Sequence, residues 1–215
     1  MYRFFRQARY SQEDHKVNGY ELLLREQIAG NWRVPAEFNT IESALWVELA
    51  VAAIQNLAVD AKVAINLDHD QFVDERLLQA MVEIQRQIGK KQLLVEITER
   101  ANGLLIAGND IVCAANFLTM NGVRVSLDDV GSGQNQFELV RILLPYATEM
   151  KFALQNFAGK RPLARHELYF WRQLADKADK HFVLEGIETP ADVTLANRLA
   201  IDLRQGYFYS RPQPA

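Results

Sequence analysis

The sequence predicts a TIM-like (β/α)8 barrel that is somewhat shortened and has one antiparallel strand. Short β-type segments alternate with longer amphipathic segments, and this repetition is typical of parallel strands joined by right-handed crossovers. The first two β-type segments are separated only by Ala8–Asn18, which is too short for a helical crossover, so they are expected to pair as an antiparallel hairpin. A (β/α)8 barrel usually needs about 250 residues. The 215 residues of this chain therefore predict a trimmed barrel.

Eight segments have the apolar and β-branched character of strands, and eight strands favour a closed barrel over an open sheet. The predicted strands are Tyr2–Gln7, Gly19–Arg25, Val63–Leu67, Leu93–Thr98, Arg124–Asp129, Glu149–Phe152, Phe182–Glu185 and Leu203–Phe208.

Amphipathic segments lie between most of these strands. Thr40 followed by Glu42 predicts that the first helix begins at Thr40. The predicted helices are Thr40–Leu57, Leu77–Ile88, Asp110–Met120 and Glu167–Lys177. No short repeat and no linker rich in Pro or Gly divides the chain, so we expect a single domain over residues 1–215.

Composition excludes several classes of function. The net charge of −3 argues against binding to a nucleic-acid polymer, which usually requires a basic surface. A small anionic substrate stays possible because bound divalent cations reverse the local charge. We expect no membrane span and no signal peptide, and Cys113 has no second cysteine for an internal disulfide. A cytoplasmic protein is the simplest interpretation.

Polar side chains interrupt the apolar strands near their C-terminal ends. A carboxylate in such a run is costly to bury unless it is paired or binds a metal. The C-terminal ends of barrel strands meet at one face, where barrel enzymes carry out their chemistry. The side chains expected at this face are Glu21, Asn66, Glu96, Asp128, Asp129, Lys151 and Glu185.

Oxygen ligands without cysteine or histidine suit a hard cation such as Mg²⁺ or Mn²⁺. Asp128 and Asp129 are adjacent, so both serve one site only if the strand ends there, and Gly131 and Gly133 favour a sharp loop. Asp128 would then bridge two cations and Asp129 would bind one. Two cations activate water for in-line attack on a phosphodiester, and Lys151 would orient that water or stabilise the oxyanion.

A purely structural interpretation competes at individual positions. Glu21 taken alone, with Arg25 nearby, is better explained as a salt-bridge partner. The stretch from Asp128 to Gly133 taken alone is compatible with a simple glycine turn. The shared position of many such residues at strand ends favours a metal site over these separate explanations.

The ordered motifs resemble the EAL-domain family of cyclic di-GMP phosphodiesterases. Each motif is weak alone, but the set runs in the family's order along nearly the whole chain. The matching segments are Glu21-Leu22-Leu23-Leu24-Arg25, Asn66-Leu67, Glu96-Ile97-Thr98-Glu99, Asp128-Asp129-Val130-Gly131-Ser132-Gly133, Glu185-Gly186-Ile187-Glu188-Thr189 and Gln205-Gly206-Tyr207 through Pro212.

This resemblance implies hydrolysis of cyclic di-GMP to linear pGpG with Mg²⁺ or Mn²⁺ as two ions, in a protein that forms a homodimer. It implies that Glu21, Asn66, Glu96 and Asp128 bind the first metal and that Asp128, Asp129 and Glu185 bind the second. It further implies that Lys151 contacts the attacking water, that Gln205 supports the site and that Glu99 tethers the loop after Asp129. The implied substrate contacts are Gln7, Leu23, Arg25, Pro35 and Phe38.

Departures from the family pattern leave alternatives open. Val130 replaces a phenylalanine, Gln134-Asn135-Gln136 replaces Tyr-Ser-Ser, and Ala153 stands where an aspartate usually follows the lysine. An active phosphodiesterase is the first hypothesis. A non-catalytic receptor or protein-interaction module of the same fold is the second, and a metal-dependent barrel enzyme for another anion is the third.

Overall fold

The computed structural model describes residues 1–98, 100, 106–157 and 161–215, with the backbone alone at 161–163. Within these ranges ten strands share one sheet. They are β1 (Tyr2–Ser11), β2 (Lys16–Ile28), β3 (Asn31–Arg33), β4 (Lys62–Leu67), β5 (Gln92–Ile97), β6 (Arg124–Leu127), β7 (Ala147–Ala153), β8 (His181–Glu185), β9 (Leu203–Arg204) and β10 (Gln213–Pro214).

Eight of the strands close into a barrel. The order β1-β9-β8-β7-β6-β5-β4-β2 returns to β1 because β1 also pairs with β2. β1 is antiparallel to both of its barrel neighbours, whereas the pairings from β2 through β4 and onward to β9 are parallel. β3 and β10 extend the sheet outside the closed ring. The predicted shortened barrel with one antiparallel strand is confirmed.

Helices follow most of the parallel strands. Their bounds are α1 (Ser43–Ile54), α2 (His69–Phe72), α3 (Glu75–Ile88), α4 (Gly108–Met120), α5 (Phe137–Leu143), α6 (Arg161–Lys177) and α7 (Pro190–Arg198), with two short 3-10 helices at Phe38–Thr40 and Leu154–Phe157. Capping hydrogen bonds from side chains define where some of these helices begin. Asp74 caps α3 by accepting from the backbone N–H of Arg76, and Thr189 and Asp192 form a capping box at α7.

Strand alternation separates the helix-facing core from the barrel interior. Successive side chains of a strand point to opposite faces. In β5, Leu93, Val95 and Ile97 belong to the apolar core that packs against the helices. Glu96 is fully buried, and its place between Val95 and Ile97 directs it to the interior. The same alternation directs Lys151 inward, between core residues of β7, so the barrel interior carries the charged side chains.

Several element bounds differ from the prediction. The helix predicted to begin at Thr40 begins instead at Ser43, and the Thr40 hydroxyl donates to the Glu37 carbonyl within the preceding 3-10 helix. β9 ends at Arg204, because the chain turns at Gly206 where a strand to Phe208 was expected. Helices α2, α5 and α7 were missed because four to nine residues carry little helical periodicity. Among the described residues, no helix has the length and hydropathy needed to cross a membrane.

Candidate metal centre

A cleft of about 420 Å³ opens at the C-terminal ends of the barrel strands. Glu21 of β2, Asn66 of β4 and Glu185 of β8 line it, together with Asp128 and Asp129 after β6. The parallel register places Asn66 opposite Glu96, and Ala153 opposite Glu185, at the same end of the barrel. Polar residues that are far apart in the sequence therefore meet because each follows or ends a strand of the same barrel.

The ammonium group of Lys151 lies at the centre of this cluster. Its Nζ donates to Glu96 Oε2 at 2.7 Å and lies 2.6 Å from Glu185 Oε1 and 3.1 Å from Asp128 Oδ1. Lys151 is fully buried. Three carboxylates from three different strand ends thus share one cation.

Glu21 is held by two amides. Asn66 Nδ2 donates to Glu21 Oε1 at 2.5 Å, and Gln205 Nε2 donates to Glu21 Oε2. The opposite atoms of these amides, Asn66 Oδ1 and Gln205 Oε1, are buried and have no hydrogen-bond partner among the described residues. A buried acceptor without a partner is costly, and a cation would satisfy it.

The end of β6 brings two adjacent aspartates to one site. The strand stops at Leu127, and Asp129 has a positive φ of 47°, so the chain no longer alternates faces there. Gly131 follows at φ 85°, where an added Cβ would lie 2.5 Å from Trp171 Nε1. Oxygens of Asp128, Asp129 and Glu185 lie within 4.8 Å of one another, as ligands of a shared cation would.

Burial and crowding change how readily these carboxyl groups ionise. Burial raises the pKa of Glu96 to about 8, against the opposing charge of Lys151. Burial likewise raises the pKa of Glu185, again against Lys151, while Asp128 and Glu21 add to the increase. Burial acts in the same direction on Glu21, but the charge of Lys151 and the two amide donors outweigh it and lower the pKa.

Lys151 remains charged in this setting. Burial alone favours the neutral amine, but the surrounding carboxylates, Asp128 and Glu185 first, raise its pKa well above the usual value. The site therefore holds excess negative charge around one fixed ammonium group. The donor set consists of carboxylate and amide oxygens with two unsatisfied amide oxygens, and this chemistry fits Mg²⁺ or Mn²⁺.

Comparison with known families identifies the architecture that carries this site. A model of the EAL domain matches residues 3–212. The chain belongs to the EAL domain family. The ordered motifs of the sequence had already indicated this membership.

Individual relatives of this EAL domain are distant in sequence. The chain is 26% identical over 216 residues to the probable cyclic di-GMP phosphodiesterase PdeN of Escherichia coli, and the alignment covers 93% of this chain and 41% of that protein. The chain spans less than half the length of the curated relatives it matches.

Solved structures show the same fold at low identity. The YkuI protein of Bacillus subtilis, crystallised with substrate c-di-GMP and calcium, has a TM-score of 0.81 at 21% identity, covering 100% of this chain and 55% of that one. A standalone EAL protein of Vibrio cholerae bound to c-di-GMP has a TM-score of 0.79 at 18% identity, covering 99% of this chain and 92% of that one. At these identities the likeness establishes the barrel fold.

The EAL domain places the expected substrate residues in two regions. Gln7 lines the metal cleft, and its Nε2 donates to the carbonyl of Ser210 at 2.9 Å. Leu23, Arg25 and Phe38 line a second cavity of about 180 Å³. Burial lowers the pKa of Arg25, although Glu21 opposes the shift.

Some expected residues line neither cavity. Pro35 is buried next to Val34, which lines the second cavity, but Pro35 itself does not line it. Glu96 and Lys151 are fully buried in the charged cluster and line neither cavity, whereas the other predicted ligands and Gln205 line the metal cleft. Glu99 lies outside the described residues.

Sequence reasoning missed other residues of the site. Arg100, Gln155 and Tyr207 line the metal cleft, and Arg100 also lines the second cavity. Arg100 directly follows the motif Glu96-Ile97-Thr98-Glu99. Its position next to a motif was the feature of the sequence that could have marked it as a site residue. Gln155 lies in a 3-10 helix after β7 that showed no periodicity.

The loop after Asp129 is anchored by residues that the sequence alone did not single out as part of the site. His69, at the start of α2, is buried, and its Nε2 lies 3.0 Å from Asn135 Oδ1. Asn135 Nδ2 in turn donates to the carbonyls of Ile97 and Asp128 at 2.9 and 2.5 Å. Asn135 therefore connects the metal loop to the end of β5.

Proposed function

We propose that this EAL domain hydrolyses cyclic di-GMP to linear pGpG with Mg²⁺ or Mn²⁺, in a site for two ions. The observation that carries the proposal is the cluster around Lys151, where carboxylates from separate strand ends surround one buried ammonium beside an open cleft. Family membership supports the substrate, because relatives are named as cyclic di-GMP phosphodiesterases.

The ligands divide into two overlapping sets in this proposal. Glu21, Asn66, Glu96 and Asp128 hold one ion, and Asp128 shares the second with Asp129 and Glu185. The unsatisfied Oδ1 of Asn66 and the grouped oxygens of Asp128, Asp129 and Glu185 support this division. When bound, such ions lower the pKa of water and offset charge on a phosphodiester.

Lys151 supplies the fixed positive charge of the reaction. Its Nζ would donate to the attacking water and stabilise the negative charge that develops on the phosphate oxygens. Water attacks phosphorus and the P–O bond to the ribose oxygen breaks. A cleft carboxylate takes one proton of the water, and the departing ribose oxygen takes up a proton from solvent to become a hydroxyl. Glu185 is the carboxylate proposed for that role, because it lines the cleft and its Oε1 lies 2.6 Å from Lys151 Nζ.

Other residues orient the ligands and the substrate. Gln205 holds Glu21 through its amide, and Glu99 is proposed to tether the loop after Asp129. Arg25 presents a guanidinium suited to phosphate, and Phe38 is a ring against which a guanine would pack. Gln7 and Leu23 complete the proposed substrate contacts, whereas Pro35 is buried and lines neither cavity.

A turnover assay tests this function. The purified chain is incubated with cyclic di-GMP and Mg²⁺ or Mn²⁺, and the product is identified by chromatography and mass spectrometry. We expect pGpG with either metal and none after chelation. Absence of product with both metals, in protein shown to be folded, would contradict the proposal.

A non-catalytic cyclic di-GMP receptor is the second candidate. It is favoured by Val130, which is fully buried in the metal loop, and by Ala153, which leaves an apolar side chain beside Glu185 in the register. Calorimetry showing tight nucleotide binding together with unchanged nucleotide after long incubation would select this function. If the protein binds no cyclic di-GMP at all, the result would instead favour a metal-dependent enzyme that acts on another anionic substrate.

We also propose a cytoplasmic homodimer. Phe137 of α5 and Phe170 of α6 contact each other with ring centroids 5.8 Å apart, and both are about 40% exposed. A second copy would cover this aromatic surface. Light scattering should give twice the mass of 24.6 kDa, and a purely monomeric mass at micromolar concentration would contradict the dimer.

A further inference from the structure

Arg100 borders both cavities of the site. Only Asn66 and Arg100, among the described residues, line the metal cleft as well as the cavity bounded by Phe38. The side chain of Arg100 is 43% exposed, and its guanidinium carbon lies 5.6 Å from the ring centroid of Phe38. A ligand that extends from one cavity to the other must pass this guanidinium group.

A buried carboxylate holds Arg100 in place. Arg100 Nε lies 2.8 Å from Asp68 Oδ1, and the same oxygen accepts from Thr98 Oγ1 at 2.6 Å. Asp68 also caps α2 in a capping box with Gln71. Because the carboxylate is fixed by the helix and by the end of β5, the arginine is oriented before a ligand arrives.

The charge of the cleft gives this arginine a specific task. The charged residues lining the metal cleft in the described part of the chain are five acids and Arg100, the acids being Glu21, Asp128, Asp129, Glu185 and Glu188. Bound metal ions would offset the negative charge of the phosphate that reacts. A cyclic dinucleotide has a second phosphate, and in this acidic setting its positive partners would be Arg25 of the adjoining cavity and Arg100, of which Arg100 alone also borders the metal cleft.

We propose that Arg100, oriented by Asp68, binds the phosphate of the cyclic dinucleotide that is not being cleaved, where the ligand passes from the metal cleft towards Phe38. This contact rests on the proposed function and names a determinant of its substrate. It also separates a dinucleotide with two phosphates from a mononucleotide with one. Arg100 binds and does not take part in the chemical step.

Calorimetry with cyclic di-GMP in Ca²⁺ tests the contact, using wild type, Arg100→Gln and Arg100→Lys. Ca²⁺ is the cation present with the substrate in the YkuI crystal. Loss of a charge-assisted hydrogen bond should raise the Kd of Arg100→Gln about tenfold to a hundredfold. Arg100→Lys keeps the charge and should recover most of that loss. Affinity of Arg100→Gln should also depend less on salt concentration.

Steady-state kinetics and a matched variant complete the test. In Mg²⁺, Arg100→Gln should raise KM while kcat changes less than about twofold, because the contact is the same in the ground state and the transition state. Arg76→Gln removes an equal charge from an exposed arginine paired with Asp74, and its Kd should equal that of wild type.

Each outcome has a separate meaning. Wild-type affinity in Arg100→Gln contradicts the phosphate contact while leaving the proposed function intact. Equal weakness of Arg100→Lys and Arg100→Gln contradicts it too, since that result indicates planar contact with a guanine. A folded wild type that binds no cyclic di-GMP with any of the cations contradicts the proposed function itself and, with it, this contact.

Discussion

Two buried ionic clusters lie in the interior of one barrel, and they differ in charge balance and in access to solvent. In the inner cluster, Arg9 contacts Glu149, and Ser126 Oγ donates to Glu149 Oε1 at 3.1 Å. In the outer cluster, Lys151 contacts Glu96, which is fully buried, and Asp128 and Glu185, which line the open cleft. Arg9 joins the two clusters, because its Nη1 lies 4.0 Å from Glu96 Oε1.

The inner cluster is balanced in charge without a ligand. One guanidinium offsets one carboxylate, and neither Arg9 nor Glu149 lines the cleft. Burying such a pair costs desolvation energy, and removing one partner alone would leave the other charge buried without an opposite charge.

The outer cluster is incomplete in charge. Around the one ammonium of Lys151 are the acids Glu21, Glu96, Asp128, Asp129 and Glu185. Burial raises the pKa of Glu96 and Glu185, which is how crowded carboxylates respond when no further cation offsets them. Carboxylates therefore outnumber cationic side chains only in the outer of these two clusters, beside the cleft where divalent cations can enter. The imbalance is not a general property of the barrel interior.

Lys151→Met should have the largest effect. We expect turnover of cyclic di-GMP to fall about a hundredfold to a thousandfold, because the donor to the developing oxyanion is lost. Binding of Mg²⁺ should be retained or strengthened, since a positive charge has left the cluster. Turnover close to wild type would contradict the role of Lys151, and loss of metal binding would show that it mainly maintains the shape of the site.

Arg9→Met should affect folding more than chemistry. It leaves Glu149 buried without its cation, so we expect the free energy of unfolding in urea to fall by about 3–5 kcal/mol. The double variant Arg9→Met with Glu149→Met removes both charges and is the matched control. Its stability should return to within about 1–2 kcal/mol of wild type. Equal instability of the single and double variants would show that the inner cluster is not a self-contained pair.

Binding of Mg²⁺ should strengthen with pH. The folded pKa of Glu96 is about 8, above the ordinary value of 4.5, so its stabilising contribution in the metal-free protein is full below about pH 4.5 and is lost as pH rises through 8. Metal must displace that proton. Calorimetry should therefore give affinity more than about tenfold weaker at pH 6.5 than at pH 8.5, with proton release at the lower pH. Affinity independent of pH would contradict the displacement of a proton from Glu96 by the metal.

Ser126→Ala should have the smallest effect. It removes one hydrogen bond to Glu149 in the inner cluster, which should lower the free energy of unfolding by about 1 kcal/mol. Mg²⁺ affinity should equal that of wild type, because Ser126 does not line the cleft. A marked change in metal affinity would mean that the two clusters are coupled through more than Arg9.

The outer cluster could be predicted from the sequence because its members sit at strand ends. Acids such as Glu21 and Glu185 interrupt apolar runs, and parallel strands bring their C-terminal ends together. The barrel itself was predictable from the repetition of strands and helices. The short span between β1 and β2 also predicted the antiparallel strand.

The inner cluster could not be predicted in the same way. Arg9 lies beyond the predicted end of the first strand, and Glu149 lies at the first position of its predicted strand. Their contact depends on the closure of the barrel across 140 residues of sequence. The contact between His69 and Asn135 likewise joins the start of α2 to the loop after β6, and no local periodicity relates them. Arg100 was missed because its task follows from the two cavities it borders, which exist only in the folded chain.

The most direct test of the proposed phosphodiesterase activity is a reaction in water enriched in ¹⁸O with Mg²⁺ or Mn²⁺. Attack of water on phosphorus beside Lys151 should place one ¹⁸O in the terminal phosphate of pGpG, as measured by mass spectrometry, and chelation should abolish the product. Unchanged cyclic di-GMP with both metals, or pGpG formed without the label, would contradict hydrolysis at this cluster.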